Sequence, residues 1–418
     1  MRTSYGFRMA CAAAALAVTV PASAQERAPL PAPLSLGEAI AIAVDRRDEI
    51  VAARAAVRAG EARPAIVSAL DDPMVMPALQ HLPFSLMGAD VNVTVEQRFP
   101  LSRIRDHRRD AAMADVDRLR AGAAGTALDV GFEAAGAWLV LQERRRTAAL
   151  VAEQIAFARD VVSAASARYA GGTAPQSDVL RAEVEMARLD ALARALIAEV
   201  RGAEAALNAA LARDTDLPVP ELTPLAFAQP LPDWTAIRDA LPQRPELAAA
   251  RATIARTDAE VRVMRDMYRP MATVRTGPAY SMMTGSGWMA MVGVSLPIWR
   301  GRLRAGVAEA VAMRTMSEAD LRAMTRMIEG QAAVAHRQVE SSRERRAAIV
   351  SDVLPRARLA IEPAAAGYAA GQLPLVSVIE AVQALWLVQA DLIAADTELA
   401  FARVRLGRAI GTYEGVQP

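Results

Sequence analysis

The 418-residue chain contains no lysine, so every one of its 48 basic residues is an arginine. That excludes a Schiff-base nucleophile and the lysine of a phosphate-binding loop, and no glycine-rich phosphate loop is present either. Its one cysteine, Cys11, lies near the N-terminus, which leaves no pair for a disulfide and no thiolate for a metal site. The three histidines, His81, His107 and His336, are scattered without metal-ligand spacing, and His107, beside Arg108 and Arg109, reads as a solvated residue and not a general base. The paired carboxylates Asp71-Asp72 precede Pro73 and read as a helix stop. Bases and acids balance to a net charge of +1, which gives no electrostatic case for nucleic acid as a partner. Together these absences predict a protein that is not an enzyme and holds no cofactor or resident metal.

The first residues carry a leader signature. Arg2 and Arg8 are followed by an apolar stretch from Ala12 to Val20 and the small-residue site Ala22-Ser23-Ala24, the pattern of a cleaved secretory signal over residues 1–24. Beyond it no unbroken apolar run reaches the ~18 residues of a membrane helix.

What is present is a long duplication. Glu49, Ala52, Ala53 and Arg54 recur 197 positions later as Glu246, Ala249, Ala250 and Arg251, as do Pro73, Val95 and Pro100 at Pro270, Val292 and Pro297. Further on the shift is 199, with Tyr169, Gly172, Pro175 and Val179 returning as Tyr368, Gly371, Pro374 and Val378. The period is too long for a solenoid module, so the chain divides into two structural repeats, residues 25–218 and 219–418.

Each repeat reads as three helices and a strand pair. Ser35 with Glu38 forms a capping box for a helix to about Leu70. Residues 102–170, free of proline, predict one helix of about 100 Å, and Gly171-Gly172-Thr173-Ala174-Pro175 turns the chain into a helix over 177–211 capped by Ser177 or Asp178. The second repeat predicts helices over 234–269, 300–368 and 375–411. The two short helices of a repeat together match the long one in length, so they can pair with it antiparallel along a tube.

The strand pairs, 73–99 and 271–297, alternate in polarity. Val91, Val93, Val95 and Phe99 alternate with Asn92, Thr94, Glu96 and Arg98, and Trp288, Ala290, Val292, Val294 and Leu296 with Met289, Met291, Gly293 and Ser295. Ten residues with one apolar face is the period of a membrane-spanning β-barrel strand. Four strands cannot close alone, and a barrel in lipid leaves no edge, so several copies must contribute to one barrel. The partner strands, 74–82 and 271–280, are interrupted by Pro77 and Pro278.

The ordered motifs Leu36-Gly37-Glu38-Ala39-Ile40-Ala41, Phe99-Pro100-Leu101 with Leu296-Pro297-Ile298-Trp299, and Arg168-Tyr169-Ala170-Gly171-Gly172 echoed by Gly367-Tyr368-Ala369-Ala370-Gly371, resemble those of TolC-like outer-membrane efflux proteins. The resemblance implies a mainly α fold with a small β part. Long helical hairpins would form a periplasmic α-barrel, and a homotrimer would build a 12-stranded barrel in outer-membrane lipid. It further implies an exit duct of a tripartite efflux system, served by a periplasmic adaptor protein and an inner-membrane pump of the RND type. Arg168, Tyr169, Gly171, Gly172, Gly367 and Gly371 then form the adaptor-contacting tip. Asp178 and Tyr368 match a carboxylate–phenol contact that holds the periplasmic gate, Leu373 stands where relatives can have an arginine, and Ser377 and Glu380 match lumen-facing positions.

Asp72-Pro73-Met74-Val75-Met76 followed by Leu82-Pro83 looks like the heavy-metal (Czc/Cus-type) branch, which implies metal cations as cargo. Eighteen methionines invite a soft-metal reading, although methionine also fills irregular packing gaps, and packing is the stronger reading. Two alternatives remain: a drug-efflux or type I secretion duct of the same family, and a periplasmic structural coiled coil without a barrel.

Overall fold

A computed structural model of the chain describes residues 29–80, 90–227, 230–281 and 283–413. The leader and Cys11 lie outside the described residues, as do His81, Leu82 and the turn expected at 87–89. In chain order the elements are α1 (Leu36–Arg46), α2 (Asp48–Ser68), β1 (Met74–Gln80), β2 (Asp90–Pro100), α3 (Ile104–Ala170), α4 (Gln176–Ala210), α5 (Trp234–Ala240), α6 (Pro245–Asp266), β3 (Met271–Ser281), β4 (Gly285–Ser295), α7 (Arg300–Ala348), α8 (Leu354–Leu359), α9 (Ile361–Ala369) and α10 (Leu375–Ile410).

The capping box forms: Ser35 Oγ accepts from the Glu38 amide at 3.2 Å, and Glu38 accepts from the Ser35 amide at 2.8 Å. The helix expected to run from there to Leu70 is broken, however. Arg47 is extended (ψ 139°) and separates α1 from α2. The second repeat breaks at the equivalent residue, Arg244 (ψ 138°), after a short 3₁₀ turn at Leu241–Gln243. Pro245 pushes Arg244 out of the helical region. No proline follows Arg47, whose guanidinium instead donates to Glu49 and Glu133.

The long helices also differ. With no proline, α3 runs unbroken for 67 residues, a rod of about 100 Å. The continuous helix expected over 300–368 is interrupted by a π turn at Ile349–Val353 and a further break before α9. Pro355 and Pro363 lack an amide hydrogen and crowd the preceding turn, and the wider π turn absorbs that misfit.

Along its tipward half α3 packs on α4, and along the other half on α2 and α6, while α10 packs on α7 and α3. The main core sits midway, where Leu34, Leu36, Trp138, Leu139, Leu141, Leu207 and Leu211 are buried together. Trp138 Nε1 donates to the Leu34 carbonyl at 3.1 Å, and Leu34 forms an isolated parallel bridge with Leu222. A second cluster joins Ile237, Leu247, Ile328, Val339, Leu399 and Leu406. Averaged over 18 residues, stretches of α3 and α10 are apolar enough to cross a membrane, although no unbroken run is.

The strands form one four-stranded antiparallel meander, β1-β2-β3-β4. β4 begins at Gly285, earlier than the alternation starting at Trp288 suggests. Pro77 sits in β1, a sheet edge, and Pro278 lies inside β3 opposite Trp288. Gly277 is required where β3 meets β2, because a Cβ there would lie 2.0 Å from the Val93 carbonyl oxygen.

Candidate functional site

Strand register assigns every side chain of the sheet to one of two faces. Glu96 lies opposite Met74 on β1 and Arg275 on β3, and Arg275 lies opposite Met291 on β4. One face therefore carries Met74, Met76, Asn92, Thr94, Glu96, Arg275, Met289 and Met291. On it Asn92 is 7% and Thr94 2% exposed, and Arg275 Nη2 donates to Glu96 Oε2 at 2.5 Å. The other face carries Val75, Leu79, Val91, Val93, Val95, Phe99, Val274, Trp288, Val292 and Val294, all exposed, with Trp288 at 72% and Val292 at 73%. The indole of Trp288 donates to Thr276 Oγ1 at 2.6 Å. An apolar exposed face, a polar face, and two edges, β1 and β4, that pair with no further strand among the described residues make a piece of a wall.

About a hundred ångströms away along α3 the chain turns twice. Gly172 (φ +71°) and Gly371 (φ +73°) take left-handed backbone at equivalent places in the two turns, a conformation open to glycine without strain. The amide of Thr173 donates to the Arg168 carbonyl at 2.9 Å, and that of Gln372 to the Gly367 carbonyl at 2.8 Å, closing both helix ends. The residue capping α4 is Pro175, and it makes no side-chain hydrogen bond. Neither Ser177 nor Asp178 is the cap, since the proline's fixed φ starts the helix one residue before Ser177.

The structure brings Arg168 and Tyr368 together. Arg168 Nη1 donates to the Tyr368 carbonyl at 2.8 Å, and its guanidinium stacks 4.3 Å from the ring centroid. The Tyr368 hydroxyl is buried with no hydrogen-bond partner among the described residues, so the expected contact with Asp178 is not made within one copy. Asp178 and Ser377 are half-buried, and Tyr169, Gly171, Gly172 and Gly371 are exposed. Half-buried Gly367 lies against Leu373, whose Cδ1 would be 2.7 Å from an added Cβ. Glu380 is exposed and borders an open groove of about 430 Å³ between α4 and α10, shared with Arg181, Glu185 and Gln383.

A third cluster, missed by motif reading, braces the core. Arg244, 4% exposed at its side chain, donates to Glu246 at 2.9 and 2.5 Å and to the Ala409 carbonyl; Arg408 bridges Glu246 at 2.8 Å and Asp129 at 2.7 Å. Burial raises the Glu246 pKa, but hydrogen bonds from Arg244, the backbone and Arg408 outweigh it and lower the value to about 2. Asp396 likewise lies between Arg146 at 2.8 Å and Arg346 at 2.6 Å. The signal for Arg47 and Arg244 was the repeat itself, since both stand two residues before the matched glutamates Glu49 and Glu246. No group of three His, Cys, Asp or Glu side chains able to hold a metal occurs among the described residues.

Residues 236–412 match the family described as outer membrane efflux protein. No curated protein matches the sequence. Solved structures resemble the chain over nearly its whole length. They include CusC (TM-score 0.78, 14% identity, 90% of this chain and 92% of that one) and the outer-membrane channel OprN (0.76, 18%, 92% and 91%). VceC from Vibrio cholerae is similar too (0.75, 15%, 91% and 97%). At these identities the likeness is one of fold.

Proposed function

We propose that three copies of this chain form the exit duct of a tripartite efflux system in the outer membrane, a reading supported by a TolC-like fold over nearly the whole chain and by the match of its second repeat to the outer-membrane efflux family. Each copy supplies its four strands, and β4 of one chain pairs with β1 of the next until a 12-stranded barrel closes. Two unpaired edges beside an outward apolar face are the observation that carries this reading, since lipid tolerates no open edge. A periplasmic coiled coil without a barrel gives no reason for Trp288, Val292 and Val294 to stand exposed on one face of a sheet.

The helices then form a tunnel into the periplasm. The tip residues Arg168, Tyr169, Gly171, Gly172, Gly367 and Gly371 meet the adaptor, and an RND-type pump supplies the energy. Asp178, Tyr368, Ser377 and Glu380 line the gate, with the partner of the Tyr368 hydroxyl coming from a neighbouring copy or from a closed state. Metal cations are the cargo we favour, on the Asp72-Pro73-Met74 pattern and the sheet's methionines.

Cross-linking tests the assembly. Cysteines placed on β1 and β4 of the same chain, joined by a bifunctional thiol reagent in outer membranes, should give covalent dimers and trimers and nothing larger. A ladder continuing past the trimer, or no ladder at all, contradicts the closed three-copy barrel.

A further inference from the structure

The two faces of the sheet differ in which large apolar side chain they use. Among the described residues of the four strands, valine, leucine, phenylalanine, tyrosine and tryptophan stand on the outward face, and methionine does not occur there. The inward face has methionine as its only large apolar type: Met74 and Met76 on β1, Met271 on β3, and Met289 and Met291 on β4. Packing alone does not explain this choice, because leucine or valine fills space as well and the neighbours are small. Met76 and Met289 share a cross-sheet row with Thr94 and Gly277, and the next row is Ala78, Asn92, Ala279 and Gly287. Met74 and Met291 are each 52% exposed in the single chain, and on the inward face of a closed barrel they would point toward a water-filled bore, an unfavourable place for an apolar side chain.

What a thioether has and leucine lacks is a soft sulfur lone pair. Met74 and Met76 are two residues apart on one face, as are Met289 and Met291, which puts the α-carbons of each pair roughly 7 Å apart, within reach of one two-coordinate ion. Glu96, which would otherwise draw hard cations, is held by Arg275 at 2.5 Å and by Arg98 at 3.5 Å. Four of the five methionines lie on the edge strands, so closure of β4 on the next copy's β1 borders each seam with thioethers from two chains. Strand stagger in a barrel spreads them in height, giving a series of weak sites.

We infer that the inward face of the sheet is a thioether-lined conduit that transiently coordinates soft monovalent cations, Cu(I) and Ag(I), as they leave. This rests on the duct reading above and names its cargo class. Several weak sites in series suit conduction, since an ion must enter favourably and still leave.

The test uses full-length protein in planar bilayers with chloride-free potassium nitrate, and Ag⁺ as the probe. The wild-type channel should be blocked by Ag⁺. The quadruple variant Met74→Leu, Met76→Leu, Met289→Leu, Met291→Leu, which conserves volume, should need roughly tenfold more Ag⁺ for half block. Potassium conductance should be the same in both, and Zn²⁺ should discriminate neither. Met313→Leu with Met316→Leu, on the exposed surface of α7, should retain wild-type block. Equal Ag⁺ sensitivity in the quadruple variant, or equal loss in the α7 control, overturns the conduit while normal potassium conductance leaves the duct standing. Absence of any potassium conductance in the wild type removes the duct reading and the conduit with it.

Discussion

Replacing Glu246 by glutamine should destabilise the protein in a way that pH reveals. Arg244, nearly inaccessible at its side chain, and Arg408 both donate to this carboxylate, and glutamine leaves them facing a neutral amide. The folded pKa of about 2, against an ordinary 4.5, corresponds to roughly 3 kcal/mol of preferential stabilisation of the ionised form. This sits within the range for breaking a largely buried ion pair. Because the folded pKa is depressed, that stability is fully present above the unfolded value, near pH 4.5, and is lost as pH falls through about 2. Entropy of unfolding scales with chain length, so for a chain of this size the deficit is a fall of about 4 °C in Tm. Wild type and Glu246→Gln, melted in parallel at one scan rate in detergent, should differ by that amount at pH 7 and converge between pH 4.5 and 2. A gap that is the same at pH 7 and pH 2.5, or absent at pH 7, refutes the electrostatic account of this cluster.

Gly277→Val should prevent heat-resistant trimers from appearing in outer membranes, because its Cβ would fall 2.0 Å from the Val93 carbonyl and part the two central strands; trimers at wild-type level on a gel would remove that contact from the account. Tyr368→Phe and Asp178→Ala should each raise single-channel conductance if the buried hydroxyl is satisfied across copies. Arg168→Ala, which loses a stacking contact and a charge-assisted hydrogen bond worth about 1–3 kcal/mol, should speed hydrogen exchange at the end of α9, and wild-type exchange would show that Arg168 does not order the tip. Glu380→Gln should lower cation selectivity without changing open time, since a lumen carboxylate sets the field and not the closure; unchanged selectivity would mark Glu380 as a solvated helix residue.

Long-range organisation was legible where a single physical rule governed it. Freedom from proline over 102–170 gave the 67-residue α3, and alternation from Val91 to Phe99 gave the two faces of β2. Local interruptions were harder to read. Pro355 and Pro363 were visible, but the repeat suggested a helix as continuous as α3, and the π turn shows the second repeat departing from the first. The break at Arg47 had no proline to announce it, and the guanidinium there meets Glu133, 86 residues away. Tip contacts were the least legible. The motif pointed from Tyr368 to Asp178, whereas Arg168 meets Tyr368 because the ends of α3 and α9 lie side by side, which spacing along either helix does not encode. Alternation alone puts Met74 with Met76 and Met289 with Met291, and only the register shows that both pairs share the inward face.

Labelling of single cysteines in intact outer membranes tests the central claim, that the sheet is part of a barrel wall with its valine face in lipid. A membrane-impermeant thiol reagent should modify Gly287→Cys and Ala279→Cys, which neighbour each other on the polar face, and should leave Val292→Cys and Val294→Cys unmodified until detergent is added. Modification of Val292→Cys and Val294→Cys in intact membranes, with Gly287→Cys and Ala279→Cys protected, would contradict the assignment of the faces and the barrel built on it.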